Sequence, residues 1–163
     1  MRYAQSKIVS RDRLHELLAG HQRRGDRVVF ANGCFDMLHV GHVRYLESAR
    51  REGDVLVVAV NADSSVCALK GSGRPILPES VRANLVAALR AVDYVVLFSE
   101  PNVEALLESL RPDVHAKGTD YTADTVPERA TAARLGIRVA IVGDPKAHST
   151  REFLQSLRKA PHV

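Results

Sequence analysis

The stretch RVVFANGCFDMLHVGHVRYLESARREGDVLVVAVN, Arg27 to Asn61, decides how the chain folds. It contains two short apolar runs, RVVFAN and DVLVVAVN, which read as strands buried on both faces. Between them GHVRYLESARREG places Val43, Leu46 and Ala49 at helical spacing and stops at Gly53. A strand, a helix and a second buried strand make a crossover between parallel neighbours, which no tight turn could join.

The pattern continues outward in both directions. Upstream, RDRLHELLAGHQRR puts Leu14, Leu17 and Leu18 on one helical face, with Gly20 and Gly25 as exit signals. Downstream, LKGSGRPILPE carries two glycines and two prolines and reads as a loop. PESVRANLVAALRAV follows as a helix, with Pro78 and Glu79 suited to its first turn. Then come DYVVLF as a strand, PNVEALLESL as a helix, RPDVHAKG as a strand, VPERATAARLG as a helix, IRVAIVG as a strand and STREFLQSLRK as a helix. Five strands separated by helices predict an α/β fold: a doubly wound, Rossmann-like, parallel five-stranded sheet in a single domain over residues 1–163, with 1–26 as an N-terminal helical extension.

Composition narrows the function classes. With 163 residues, 45% of them hydrophobic, the chain suffices for one cored domain, and no apolar run is long enough to span a bilayer. The start, MRYAQSKIVSRDR, lacks the apolar segment of a secretory signal, so a cytoplasmic setting without membrane attachment is expected. Cys34 and Cys67 stand in no CxxC pair, which points to neither a disulfide framework nor a structural zinc site. The net charge of +4 comes from 23 basic and 19 acidic residues interspersed along the chain, and suits an anionic small molecule as well as a nucleic acid.

In a doubly wound sheet ligands bind beyond the carboxyl ends of the strands. The loops expected there, NGCFDMLHVGH, NADSS with KGSGRP, SEPN, KGTDY and GDPKAHST, concentrate histidine, lysine, glycine, hydroxyl and acidic residues. His39 and His42 flank Gly41 where a helix begins, so both imidazoles can face unpaired backbone N–H groups that favour an anion. Gly41 lets a phosphate approach the backbone. A surface pair, or two of three zinc ligands, is the plainer reading of the HxxH spacing, but no third ligand of suitable spacing follows. Lys70 and Arg74 lie on the glycine-bearing loop as two movable cations, or as a solvated basic loop. Lys117, Gly118 and Asp120 directly follow a strand. Asp36, Asp63 and Asp120 are candidates for sugar hydroxyls or for a magnesium ion arriving with a nucleotide, although aspartate is common in turns. Ser149 and Glu152 form a capping box that is structural in itself, while Ser149, Thr150 and Arg151 also present a helix start to the same edge. Cys34 reads as a small loop-filling residue.

NGCFDMLHVGH, together with VVAVNADSSV, LKGSGRPI and KGTDY, resembles the HxGH nucleotidyltransferases, and most closely the adenylyltransferase domain of the bacterial ADP-heptose synthases, over roughly residues 27–157. The resemblance implies transfer of AMP from ATP to D-glycero-β-D-manno-heptose 1-phosphate. It gives His39 and His42 the charge developing at the α-phosphate and leaving pyrophosphate, Lys70 the bridge between phosphate groups, and Arg82 the acceptor phosphate. Asn32, Gly33, Cys34 and Phe35 would line the nucleotide. Lys117 and the Ser149, Thr150 and Arg151 helix start would hold its base, ribose or phosphates. Mg²⁺ would enter with ATP, no protein-held metal is expected, and a homodimer is implied. Many relatives carry a sugar kinase ahead of this domain. Only 26 residues precede the first strand here, so a separate kinase is expected.

Two departures from the family pattern stand out: KAHSTR where relatives often read GCSTT, and TADTVPERATA on the acceptor side. A cytidylyltransferase acting on glycerol 3-phosphate or a similar alcohol phosphate shares the HxGH loop. Guanylyl or uridylyl specificity also remains open. A non-catalytic nucleotide- or nucleic-acid-binding module is disfavoured, because the basic residues form no aromatic-interleaved stripe and tryptophan is absent.

Overall fold

The computed structural model describes residues 3–144. The strands are β1 (Val28–Gly33), β2 (Val55–Asn61), β3 (Tyr94–Phe98), β4 (Val114–Gly118) and β5 (Arg138–Val142), all parallel in the order β3-β2-β1-β4-β5. The helices are α1 (Arg11–Arg23), α2 (Val40–Arg50), α3 (Asp63–Lys70), α4 (Glu79–Ala88), α5 (Glu104–Leu110) and α6 (Arg129–Leu135). The expected five strands and their parallel pairing are all present.

Alternation along the strands builds two cores. In β1, Val29 and Ala31 face the layer of α2 and α4, while Val28 and Phe30 face the layer of α1, α5 and α6. β2 divides likewise, with Leu56, Val58 and Val60 on the first face and Val55, Val57 and Ala59 on the second. Residues 11–23 are no loose appendage, since Leu14 and Leu18 of α1 are buried in the second core. Ahead of α1, Ile8 pairs in parallel with Val95 and the Val9 N–H donates to the Val95 carbonyl at 3.0 Å, which covers the otherwise free edge of β3.

The amino edge of the sheet is closed by aspartates just ahead of the strands. Asp54 accepts from the Arg27 N–H, Asp93 from the Leu56 N–H and Asp113 from the Val28 N–H, at 2.7 to 2.8 Å. Polar groups at that edge are thus spent on the fold.

Three local readings of the sequence change. Gly20 does not end a helix: α1 runs through it, and Gly25, at φ +79°, makes the exit. The segment NADSS is no simple loop, because Asp63 opens the eight-residue α3, which ends on Lys70. Its N-cap, Ala62, offers no side-chain cap, and the Asp63 N–H is instead satisfied by Glu79 from α4 at 2.8 Å. Pro78 stands one position before α4, as its N-cap. The expected STREFLQSLRK helix lies outside the described residues.

Gly53 marks a close approach. A Cβ there would stand 2.6 Å from the Arg27 carbonyl oxygen, a backbone atom that cannot swing away. Gly53→Ala is expected to cost about 2 kcal/mol through overpacking, lowering the melting temperature by roughly 4–8 °C for a domain of this size. Thermal denaturation followed by circular dichroism checks this; an unchanged melting temperature would show that the α2–β2 turn relaxes freely.

Candidate active site

A cavity of about 660 Å³ opens at the carboxyl ends of the strands, within the range of ligand pockets. It extends to both sides of β1. Asn61 and Phe98 line it at the ends of β2 and β3, and Lys117 and Val142 line it from β4 and β5. The reversal of strand order between β1 and β4 puts it at the topological switch point.

Its floor is the turn from β1 into α2. Gly33 leaves room there for the Phe35 ring, which would come within 3.1 Å of a Cβ at position 33. Phe35 takes φ +47°, and its buried ring meets the His42 imidazole edge-on, with centroids 5.2 Å apart. His39 is the N-cap residue of α2, and its ring stacks on His42 at 3.8 Å. The His39 backbone N–H donates to His42 Nδ1 at 3.4 Å, which leaves the ring hydrogen of His42 on Nε2. Burial, the nearby His39 and the Lys70 ammonium push the His42 pKa down to about 4, against a smaller opposing effect of the Met37 carbonyl. The imidazole is therefore neutral at pH 7, a hydrogen-bond donor beside unpaired helix N–H groups.

On the β4 side a buried polar cluster forms the wall. Lys117 Nζ donates to Glu128 Oε2 at 3.2 Å and to Asn32 Oδ1 at 3.5 Å, and lies 4.8 Å from the centre of the Tyr121 ring. His115 Nε2 bonds the same Asn32 oxygen at 3.1 Å. With Oδ1 committed twice, the amide NH₂ is what Asn32 can offer a ligand. Desolvation, and secondarily Lys117, push the His115 pKa down to about 3. Tyr45 donates its hydroxyl to the Ala116 carbonyl at 2.9 Å, and burial pushes its phenol pKa up.

The expected residues divide clearly. His39, His42, Gly41, Asn32, Gly33, Cys34, Phe35, Lys70, Lys117, Gly118 and Asp120 all line the cavity. Lys70 does so from the last turn of α3 rather than from a loop. Asp36 borders the cavity but is not free for a sugar hydroxyl. Its side chain is fully buried, accepting from Arg74 at 2.6 Å and from the Ile76 and Leu77 N–H groups at 2.6 and 3.2 Å. Those three donors hold its pKa down against the effect of burial, which is the largest single influence. The same contacts remove Arg74 from the pool of movable cations.

Arg82 is likewise not placed to take an acceptor phosphate. It is fully buried and away from the cavity lining, donating to the Leu77 carbonyl at 2.9 Å, the Cys34 carbonyl at 2.5 Å and Asp63 at 2.7 Å. Asp63 is thereby Arg82's partner rather than a cavity residue. Asp36 and Arg82 act as ties that hold the segment before α4 against the β1–α2 turn. Ser149, Thr150 and Arg151 lie outside the described residues. Among those described, no group of three or more histidine, cysteine or acidic residues is arranged to hold a metal ion. No helix among them is long and apolar enough to cross a membrane.

Sequence reasoning missed Arg44, Tyr45, Asn61 and Glu128, all of which line the cavity. Arg44 and Tyr45 follow His42 by two and three residues on α2, so helical spacing from Gly41 could have found them. Glu128 gave no signal beyond its place at a helix start.

A doubly wound sheet with HxGH at the amino end of the helix after β1 defines a nucleotidyltransferase class, and the cytidylyltransferase-like family profile matches residues 30–157. The chain belongs to that family. It is 45% identical over 152 residues to the bifunctional protein HldE of Syntrophotalea carbinolica, covering 93% of this chain and 31% of that protein. It is 44% identical over 155 residues to the bifunctional protein HldE of Geobacter sulfurreducens, covering 95% and 32%. The chain thus spans about a third of the length of the curated relatives it matches. Among solved structures, the lipopolysaccharide core biosynthesis protein from Thermoplasma volcanium GSS1 superposes with a TM-score of 0.63 at 28% identity, covering 75% of this chain and all of that one.

The two depressed histidines link the site to stability. Their folded pKa values, about 4 for His42 and about 3 for His115, lie below the ordinary 6.5, so the unfolded chain takes up protons first as pH falls. Stability is complete above about pH 6.5 and declines through pH 6 to 4, with a slope approaching about 1.4 kcal/mol per pH unit for each histidine. Urea denaturation across that range should show the decline, and His42→Gln should reduce the slope by about one proton; a flat profile in the wild type would contradict the neutral assignment.

Proposed function

We propose that the chain transfers the adenylyl group of ATP to D-glycero-β-D-manno-heptose 1-phosphate, giving ADP-heptose and pyrophosphate. The observation that carries this reading is the stacked His39–His42 pair, with His42 neutral, at the amino end of α2, inside a cavity that reaches both sides of β1. The resemblance of the sequence to ADP-heptose synthases supports the substrate class, and identity of about 45% to HldE proteins over nearly the whole chain is consistent with it.

An oxygen of the sugar 1-phosphate attacks the α-phosphorus of ATP in line, and the bond from that phosphorus to the β-bridging oxygen breaks as pyrophosphate leaves. Nothing in such a displacement requires a covalent enzyme intermediate; what it requires is alignment and relief of negative charge. The α2 N–H groups and the His42 Nε2–H donate to the α-phosphate oxygens. Lys70 approaches from α3 with its charge between the phosphates. Lys117, fixed by Glu128, and the amide of Asn32 position the nucleotide on the β4 side. Arrival of a triphosphate opposes the influences that depress the His42 pKa, so the imidazole gains proton affinity as charge builds on pyrophosphate.

Mg²⁺ belongs to this proposal as a partner of the nucleotide. Of the four acidic residues that line the cavity among those described, Asp36, Glu128 and Asp144 are each paired with a cation, so phosphate oxygens and water would supply most of the ion's ligands. A sugar kinase that supplies the 1-phosphate, a homodimeric assembly, a cytoplasmic setting and a product destined for lipopolysaccharide complete the same reading.

Pyrophosphate release measured across the four nucleoside triphosphates and a set of sugar and alcohol phosphates tests it. Turnover is expected with ATP and heptose 1-phosphate; turnover confined to CTP and glycerol 3-phosphate would overturn the assignment. His42→Ala should lower kcat by a factor on the order of 100 while leaving the fold intact. In the wild type, the acid limb of kcat/KM assigned to His42 should fall near pH 4 rather than 6.5, following its depressed pKa of about 4.

A further inference from the structure

A triphosphate brings about four negative charges to the site at neutral pH, and most of the nearby cations are already committed to buried partners. Arg74 is held by Asp36, whose side chain is fully buried. Arg82 is itself buried with every guanidinium nitrogen engaged. Lys117 is locked to Glu128 with both side chains under 8% exposed. Among the described cations that line the cavity, this leaves Lys70 and Arg44.

Arg44 lies on α2, two residues after His42 and three after Gly41, so it shares the face of Gly41 that meets the cavity. Its guanidinium reaches Asp144, just beyond β5, at 3.1 Å, with the two side chains 53% and 59% exposed. An exposed pair of this kind contributes little to stability and is readily exchanged. The Asp144 end is anchored. Thr119 Oγ1 donates to the Asp144 carbonyl at 2.8 Å, and a Cβ on Gly143 would lie 3.3 Å from Tyr45 Cα, so the β5 turn rests directly on α2. Asp144, like Arg44, lines the cavity, so an anion that enters can compete for the same cation.

We propose that Arg44 is a binding residue for the polyphosphate of the nucleotide, parked on Asp144 while the site is empty and transferred to phosphate oxygens when the nucleotide enters. The proposal rests on the nucleotidyltransferase reading above and assigns to it a residue outside the HxGH motif. A guanidinium can give two parallel charge-assisted hydrogen bonds to a phosphate, stronger than one exposed contact with a carboxylate. Asp144 then acts as a competitor that sets nucleotide affinity.

The test combines calorimetric binding of ATP and of inorganic pyrophosphate with steady-state pyrophosphate release. Arg44→Gln should weaken binding of both ligands and raise the KM for ATP about tenfold, with a smaller effect on kcat, and Arg44→Lys should recover part of the loss. Asp144→Asn should move the KM the other way, lowering it about twofold or more. Arg138→Gln controls for net charge, since Arg138 pairs with Glu52 at the amino end of β5, away from the cavity, and it should stay within twofold of wild type. ATP affinity of Arg44→Gln within twofold of wild type, or an equal loss in the Arg138→Gln control, would overturn the proposal. Arg44-dependent ATP binding without turnover on any acceptor would overturn the preceding subsection and leave this assignment standing. Failure of the wild type to bind ATP would overturn both.

Discussion

Parallel strands can be neighbours only if the chain returns, after each one, to the end where it began. Crossover helices meet that requirement, and they place every strand-to-helix turn at one edge of the sheet. Here the constraint acts through β1, which pairs with β2 on one side and β4 on the other. The chain winds outward from β1 to β3, then returns to add β4 and β5. The turn leaving β1 therefore lies where the two halves diverge, and the cavity opens above it. Asp54, Asp93 and Asp113 satisfy strand N–H groups at the opposite edge, so the chemistry-bearing residues gather at a single end.

Within that frame, buried charge shapes the site without being exposed to it. Asp36 collects Arg74 and two backbone N–H groups from a segment some forty residues downstream. Arg82 joins the Cys34 carbonyl to the Leu77 carbonyl and to Asp63 at the start of α3. Taking charges from water is costly unless they are paired and fully hydrogen-bonded, and these are. Together they fix the β1–α2 turn, with its histidines, relative to α3, which ends on Lys70. The geometry of the candidate site is thus held by residues that need not touch a ligand.

This arrangement explains which parts were legible in the sequence. β1, β2 and β3 were readable because burial on both faces makes each an almost unbroken apolar run, β4 and the partly exposed β5 were readable as short apolar runs between helices, and α2 was readable from Val43, Leu46 and Ala49. The gathering of His39, His42 and Lys117 at the carboxyl edge followed from the sheet rule alone, although His42 lies in the first turn of α2 and Lys117 near the end of β4 rather than in loops. α3 escaped because Asp63, Ser64 and Ser65 resemble a turn, while its first N–H is satisfied by Glu79 from another helix. The roles of Asp36 and Arg82 escaped because their partners lie as many as 48 residues away, and a charged residue in a loop looks the same whether it meets solvent, substrate or a buried partner. Glu128 was hidden for the same reason: its pairing with Lys117 exists only once α6 has packed beside β4.

In the proposed reaction two phosphates meet directly over the amino end of α2, with a neutral His42 and movable cations in place of a protein nucleophile. Stereochemistry at the α-phosphorus addresses it most directly. With a single diastereomer of ATP carrying sulfur on the α-phosphorus, turnover with heptose 1-phosphate should give a thio-substituted ADP-heptose, whose phosphorus configuration can be read by ³¹P nuclear magnetic resonance. One in-line displacement predicts inversion. Retention would require two displacements and an intermediate bonded to the protein, and would contradict the account.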